Sequence, residues 1–347
     1  MLRDIRSMTL EEIKDEFKQL GFPAYKAKQV FVWAQKGASF DQMTDISKEM
    51  RAILSQRFQN CNLLIEKRLV SGIDNTVKYL YKLGDGNYIE SVVMSYHHGY
   101  SVCVSTQVGC RMGCSFCATG KEGLVRDLLP GEIIAQITTA QKDLGIRISN
   151  VVLMGMGEPL DNFDNVVRFL RLVGDENGLN IGMRHISLST CGIVPKIYDL
   201  AKLDLQLTLS VSLHAPNDEL RSKTMPVNKA YPIDELLKAC RDYISVTNRR
   251  ISFEYALIDG VNDSTENAYE LASKLKGMLC HVNLIPVNPV EKTGFMASKK
   301  KSTENFVKIL ESKGITATVR RTLGADINAS CGQLRRNAER KDNENRQ

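Results

Sequence analysis

Helical spacing of apolar positions opens the chain. In "TLEEIKDEFKQLGF" apolar residues recur three and four positions apart, Thr9 stands where an N-cap belongs with Glu12 three residues on, and Gly21 ends the run. "PAYKAKQVFVWAQKG" and "FDQMTDISKEMRAILSQRF" keep the same period, so residues 1–60 are expected to form a small helical domain carrying several lysines. From about residue 62 the period shortens. "LLIEKRLVS", "TVKYLYKL", "YIESVVMSY" and "YSVCVSTQV" are short runs rich in Val, Ile and Tyr, and they predict strands paired as an antiparallel meander.

Beyond a glycine-rich loop near residues 108–120 the two periods alternate. The helical stretch "PGEIIAQITTAQKDLG" leads to the strand "SNVVLMG", and strands follow at "HISLST", "QLTLSVSLH", "ISFEYALI", "HVNLIPVN" and "TATVRRT" with helical patterns between them. The strands are apolar and β-branched, as expected where both faces are covered. Five or six such repeats, each of roughly thirty residues, predict an α/β fold built on a parallel barrel or part of one, at six repeats a partial parallel (βα)6 barrel. The expected division is a helical domain at 1–60, a β extension at 61–100, the barrel at 101–325 and a C-terminal loop and tail at 326–347. Barrels of this kind carry their chemistry where strands end. Polar and glycine residues do follow the strands: Cys110 to Cys117 after the first, "GMGEP" after the second, "STCG" after the third, "SLHAPN" after the fourth and "PVNP" near the sixth.

Composition narrows the class. Hydrophobic content of 43% and charged content of 25% are those of a soluble globular chain. No apolar run approaches the roughly eighteen residues of a membrane span. The start, "MLRDIRSMTLEEIKDEF", lacks the apolar centre of a secretory signal, so a cytoplasmic location without a membrane partner is expected. There the nine cysteines are expected to be mostly reduced, which points to metal or catalysis before disulfides. The net charge is +6, and residues 316–347 hold seven Lys/Arg against four Asp/Glu. That excess suits an RNA or phosphate partner, and equally a solvated face with a basic tail.

The loop "VGCRMGCSFCATG" places Cys110, Cys114 and Cys117 within eight residues. Three thiols are one short of a closed tetrahedral zinc site, which Cys103 could complete. Two packing cysteines plus a bystander is the blandest account, and Gly109, Gly113 and Gly120 speak against it by making the loop able to wrap an object. A third account is an iron–sulfur centre that leaves one iron open to a small molecule. The C-x3-C-x2-C spacing, with Phe116 before the last cysteine, resembles the radical S-adenosylmethionine (SAM) superfamily. That resemblance implies one 4Fe–4S cluster per chain, its free iron chelating the amino and carboxylate groups of SAM. "GMGEP" at 155–159 resembles the superfamily's Gly-Glu motif, which receives the SAM amino group.

The other end of the chain narrows the resemblance. "GADINASCGQL", with Cys331, is similar to the terminal signature of the RlmN/Cfr family of bacterial RNA adenine methyltransferases. "STQVGCRMGCSFCATG", "GMGEPL", "SVSLHAPN", "MPVNKAYP" and "VNPV" match that family in order, and "GMGEPL" and "RRTLGADI" look more like RlmN than Cfr. The family resemblance implies two SAM molecules per turnover. One methylates the Cys331 sulfur; the other, cleaved by the reduced cluster, yields a radical that removes a hydrogen from that methyl. The methylene then adds to carbon 2 of adenine, a position too electron-poor and nonacidic for ordinary methyl transfer. Glu90 matches the proton acceptor, and Cys103 the thiol that resolves the adduct through a transient disulfide. Gly157, Glu158, Ser189, Ser212, Leu213, His214 and Asn288 match the SAM contacts, and Met154 and Met156 are expected in the SAM pocket.

The implied substrates are an adenosine in the peptidyl transferase centre of 23S rRNA and the adenosine 3′ of the anticodon in tRNAs. An electron donor such as flavodoxin or ferredoxin and a monomeric enzyme are also implied. Read without the family, Glu90 is an ordinary strand-end carboxylate, Cys103 a small strand hydrophobe and His214 a satisfied structural histidine. Cys61, Cys191, Cys240 and Cys280 are expected as buried packing residues. Rival readings are a Cfr-like carbon-8 methyltransferase, a radical SAM enzyme on another substrate, and a non-enzymatic zinc or iron–sulfur RNA-binding protein.

Overall fold

A computed structural model describes residues 2–121, 123–287, 295–327 and 329. The N-terminal module opens with a short strand, β1 (Arg3–Asp4), then three helices, α1 (Leu10–Gln19), α2 (Ala24–Gln35) and α3 (Lys48–Arg57). A strand β2 (Phe58–Gln59) closes it by pairing parallel with β1. The capping box read from Thr9 and Glu12 is formed: Thr9 Oγ1 accepts from the Glu12 amide at 3.3 Å, and Glu12 Oε2 accepts from the Thr9 amide at 2.8 Å. The long periodic run from Phe40 divides into a 3-10 turn at Phe40–Gln42 and α3, because Ser47 caps a new helix by accepting from the Met50 amide.

Four strands follow: β3 (Leu64–Val70), β4 (Val77–Lys82), β5 (Tyr88–Tyr96) and β6 (Gly99–Cys103). They form the antiparallel meander expected from their spacing. A small hairpin, β7 (Gln107–Cys110) with β8 (Gly123–Asp127), carries the cysteine loop at its turn. The remaining chain alternates: α4 (Pro130–Leu144), β9 (Ile148–Leu153), α5 (Phe163–Gly174), β10 (Ile186–Thr190), α6 (Val194–Ala201), β11 (Thr208–Ser212), α7 (Asp218–Thr224), α8 (Ile233–Thr247), β12 (Ile251–Leu257), α9 (Thr265–Leu275), β13 (Cys280–Pro286), α10 (Lys300–Ser312) and β14 (Ala317–Val319). One sheet of ten strands, in the order β14-β13-β12-β11-β10-β9-β6-β5-β4-β3, holds both the meander and the parallel strands. From β6 through β9 to β14 the pairing is parallel, with helical crossovers, which is the expected partial (βα)6 barrel. Among the described residues no helix is long and apolar enough to cross a bilayer.

Two expectations needed correction. "YSVCVSTQV" is not one strand. After β6 the chain leaves the sheet at Ser105, whose amide donates to Gln136 Oε1 at 2.8 Å and whose hydroxyl donates to the Glu90 carbonyl at 2.6 Å. Alternation marks extended backbone and is blind to the partner that backbone takes. Nor are the barrel strands apolar on both faces. Leu188, Leu209, Val211, Ile251 and Phe253 pack in the core, while Ser187, Thr208, Ser210, Ser252 and Asn283 face a polar bore of about 380 Å³. A closed eight-stranded barrel fills its interior with branched side chains; this open partial barrel lines its interior with Ser, Thr and Asn instead.

The helical module docks against the start of the barrel. Arg6 is buried and donates to the Ala34 carbonyl at 3.0 Å, and the Ser7 hydroxyl accepts from the Gly131 amide at 2.8 Å. Arg168 on α5 reaches back to Glu12 at 2.7 Å. At Gly131 the side chains of Asp4 and Ser7 pack directly on the helix backbone, so that a Cβ would sit 1.9 Å from Asp4 Oδ2. Gly131→Ala should therefore cost about 1–3 kcal/mol of stability through overpacking. Gly84→Ala, with nothing within 4 Å of its Cβ, should change stability by no more than about 0.5 kcal/mol. Urea unfolding of the two variants beside wild type measures the difference.

Candidate active site

The strand ends converge on a cavity of about 410 Å³ at the C-terminal side of the sheet. Its wall includes Cys110, Cys114 and Cys117 from the hairpin loop, Gly157 and Glu158 after β9, Ser189 of β10, Ser212 and His214 after β11, and Glu90 and Cys103 from the meander side. Leu213 is different: its side chain packs in the hydrophobic core. Met154 reaches the cavity, whereas Met156 is a core residue. Asn288 and Cys331 lie outside the described residues.

The cysteine loop is pinned at its centre. Ser115 donates its amide to the Thr224 carbonyl at the end of α7 at 2.9 Å, and the Cys117 amide closes a turn onto the Cys114 carbonyl at 3.1 Å. Burial pushes the Cys110 and Cys114 thiols up to about 12, and the neighbouring loop cysteines and Glu158 add to this. Two buried thiols raised this far ionise only with a cation beside them. Among the described residues no three His, Cys, Asp or Glu side chains converge on the point a single ion would occupy. Thiols spread around one cavity suit a polynuclear centre, in which each iron takes one sulfur.

Behind the loop stands a buried cation. Arg221 of α7 donates to the carbonyls of Cys191 at 2.6 Å, Leu213 at 3.2 Å and Ser212 at 3.2 Å, and to Asn228 Oδ1 at 3.1 Å. One guanidinium thus ties together the exits of β10 and β11 and places positive charge beside Cys114 and Cys191. In the sequence "NDELRSKT" looks like an exposed helix, and only its carbonyl partners single out Arg221.

The Gly-Glu turn is held as firmly. Gly157 has φ +105°, and a Cβ there would lie 2.7 Å from Gln107 Cβ, so both the conformation and the close approach require glycine. Glu158 is buried; its amide donates to Gln107 Oε1 at 2.8 Å, while its carboxylate accepts from the amides of Leu160 at 3.0 Å and Cys191 at 2.7 Å. Burial raises its pKa and these amides oppose that rise. A desolvated carboxylate aimed at the cavity is suited to receive a cationic ammonium. Gln107, which also bonds Asp127 and Asp161, was another residue the sequence reading missed.

His214 adopts φ +58°, and its Nδ1 accepts from the Ala256 amide at 2.9 Å. That bond assigns the proton to Nε2, and burial holds the ring neutral by lowering its pKa to about 3. Phe116 packs edge-on against it at 4.9 Å. His214 therefore has a structural nitrogen and a second that can donate. Cys191 and Cys240 are buried as expected, whereas Cys61 and Cys280 are only half-buried.

On the meander side, Lys78 and Glu90 form a buried ion pair at 2.9 Å, with side chains 0% and 2% exposed. Lys78 was not anticipated, since alternation in "TVKYLYKL" does not say that its polar positions face the protein interior. Cys103, at the end of β6, faces the same cavity as Glu90. The geometry thus brings together a carboxylate, a thiol, a three-thiol loop and a turn that buries a second carboxylate.

Two family models match the chain. The family model described as the radical SAM superfamily matches residues 104–272, and that of the ribosomal RNA large subunit methyltransferase N-terminal domain matches residues 3–59. A probable dual-specificity RNA methyltransferase RlmN of Alkaliphilus oremlandii is 57% identical over 334 residues, covering 96% of this chain and 97% of its own. The corresponding protein of Clostridium novyi is 55% identical, covering 97% and 98%. The crystal structure of a radical SAM methyltransferase from Sphaerobacter thermophilus superposes with a TM-score of 0.92 at 46% identity, covering 95% and 98% of the two chains. With more than half its residues shared along almost the whole length of such relatives, this chain belongs to the RlmN family of radical SAM RNA methyltransferases.

Proposed function

We propose that the chain methylates carbon 2 of an adenosine in 23S rRNA and of the adenosine 3′ of the anticodon in tRNAs. The observation that carries this reading is the placement of Glu90 and Cys103 on neighbouring strands, facing the cavity of the cysteine loop. A SAM enzyme acting on an acidic carbon or a heteroatom would need neither. Its curated relatives are named dual-specificity RNA methyltransferases, which supports two RNA classes.

Membership in the radical SAM superfamily carries with it a 4Fe–4S cluster and SAM, which together supply a methyl group and one-electron chemistry. Cys110, Cys114 and Cys117 are the proposed cluster ligands. Gly157, Glu158, Ser189, Ser212, Leu213, His214 and Asn288 are the proposed SAM contacts, with the Glu158 carboxylate toward the amino group and His214 as a neutral donor. Cys331 carries the methyl as a thioether. Glu90 takes the proton from the adenine carbon once that carbon is bonded to the methylene. Cys103 then attacks the sulfur of residue 331, forming a disulfide and freeing the methylated RNA. Residues 1–60 and the basic tail are the proposed RNA-binding elements, flavodoxin or ferredoxin the electron donor, and the enzyme acts as a monomer in the cytoplasm.

Reconstitution with methyl-labelled SAM, followed by nucleoside mass spectrometry of both RNA classes, tests the assignment: label is expected in 2-methyladenosine, and label in 8-methyladenosine would overturn it. Anaerobic iron and sulfide analysis tests the ligands. Cys110→Ala, Cys114→Ala and Cys117→Ala should each lose the cluster, and Cys103→Ala should keep it. Timing separates the remaining thiols. Cys331→Ala should leave RNA unmodified, whereas Cys103→Ala should accumulate protein covalently bound to RNA, stable to denaturation and released by RNase. Free methylated RNA at normal yield from Cys103→Ala would refute the resolving role.

A further inference from the structure

Glu90 and Cys103 are related through a third residue. Val92 of β5 is paired with Lys78 of β4 on one side and with Cys103 of β6 on the other. Residues opposite one another in a sheet present side chains to one face, so Lys78, Val92 and Cys103 form a row across three strands. Glu90 stands two residues along β5 on that same face, and the Lys78 ammonium reaches it diagonally at 2.9 Å. Around the Cys103 thiol, burial favours the protonated form; Arg320 and Lys78 favour the thiolate, and Glu90 opposes it. The row thus holds two groups whose charges act on one thiol with opposite sign, and one of the two titrates during the proposed reaction.

We propose that Lys78 is a positioning residue that orders the last two steps: while Glu90 is a carboxylate it cancels the Lys78 charge and Cys103 stays a thiol, and once Glu90 has taken the adenine proton the Lys78 charge acts on Cys103 and draws out the thiolate. This rests on the roles proposed above for Glu90 and Cys103. Each step balances. The proton leaves the adenine carbon for a Glu90 oxygen, the C–H electron pair returns to the ring, and the unpaired electron left by radical addition passes to a one-electron acceptor, the 4Fe–4S centre of the proposed reaction. Cys103 loses its proton to solvent at the cavity mouth, and its sulfur pair forms the S–S bond with residue 331. The S–C bond breaks with its pair on the methylene carbon, which takes one proton to become the methyl group.

The test needs no turnover. Full-length, cluster-loaded, RNA-free enzyme is alkylated with iodoacetamide across pH 6–10 under anaerobic conditions, and modification of Cys103 is followed by peptide mass spectrometry. The plateau rate at high pH reports access to the thiol, and the midpoint reports the charge around it. Glu90→Gln, a neutral isostere of the protonated acid, should lower the midpoint by about one unit and raise the rate at pH 7 about tenfold. Adding Lys78→Met to Glu90→Gln should abolish that gain, and Lys78→Arg in the same background should restore it. The double variant replaces a buried ion pair by two neutral groups, which avoids the uncompensated charge that Lys78→Met alone would leave. If Glu90→Gln leaves the midpoint unmoved, or the double variant keeps the full gain, the coupling is wrong. Failure of Cys103→Ala to trap RNA would instead remove the resolving role and leave the alkylation result standing.

Discussion

The structure depends on the pairing of β6 with β5 on one edge and with β9 on the other. Antiparallel on one side and parallel on the other, β6 joins the meander and the partial barrel into a single sheet. Through that seam Cys103 becomes a neighbour both of Val92, in the Glu90 strand, and of Val152, in the strand that leads to the Gly-Glu turn. Without it Glu90 and Cys103 would belong to a different body from the cysteine loop and the Gly-Glu turn.

Continuity of the sheet also explains the break after β6. A strand that ran on through Gln107 would carry the cysteines away from the barrel mouth. The side chain of Gln136 on α4 instead takes the Ser105 amide and donates to the Ser105 carbonyl at 2.9 Å, replacing ladder bonds that the turn forfeits. The freed segment pairs with β8, and the hairpin so formed presents three thiols to the cavity at the strand ends. Arg221 meets the same requirement from below. Its guanidinium satisfies carbonyls at two strand exits, and its charge stands beside the Cys114 and Cys191 side chains.

Burial sets the chemical state of these groups. It keeps His214 neutral, raises the cysteine thiols and raises Glu158 against the pull of two backbone amides. In such a dielectric a charge matters over the distance of a strand or two. A lysine fully enclosed beside a carboxylate, as Lys78 is, then becomes part of the chemistry of the thiol along its row.

Some of this was determined by the sequence alone. Thr9 and Glu12 announce a capped helix because their interaction spans one turn, and the βα alternation announces a parallel barrel because helical and strand periods depend only on neighbours along the chain. The cysteine spacing and the Gly-Glu turn were legible for the same reason: each is a contiguous piece of backbone shaped around one object. What only the tertiary structure decided is who stands across from whom. Lys78 opposite Val92, Arg221 beneath the strand exits, the polar inner face of the barrel and the division of "YSVCVSTQV" between two sheets all follow from register and packing. A pattern of period two says that a side chain alternates, but which face is the interior, and whose charge waits there, depends on strands far away in sequence.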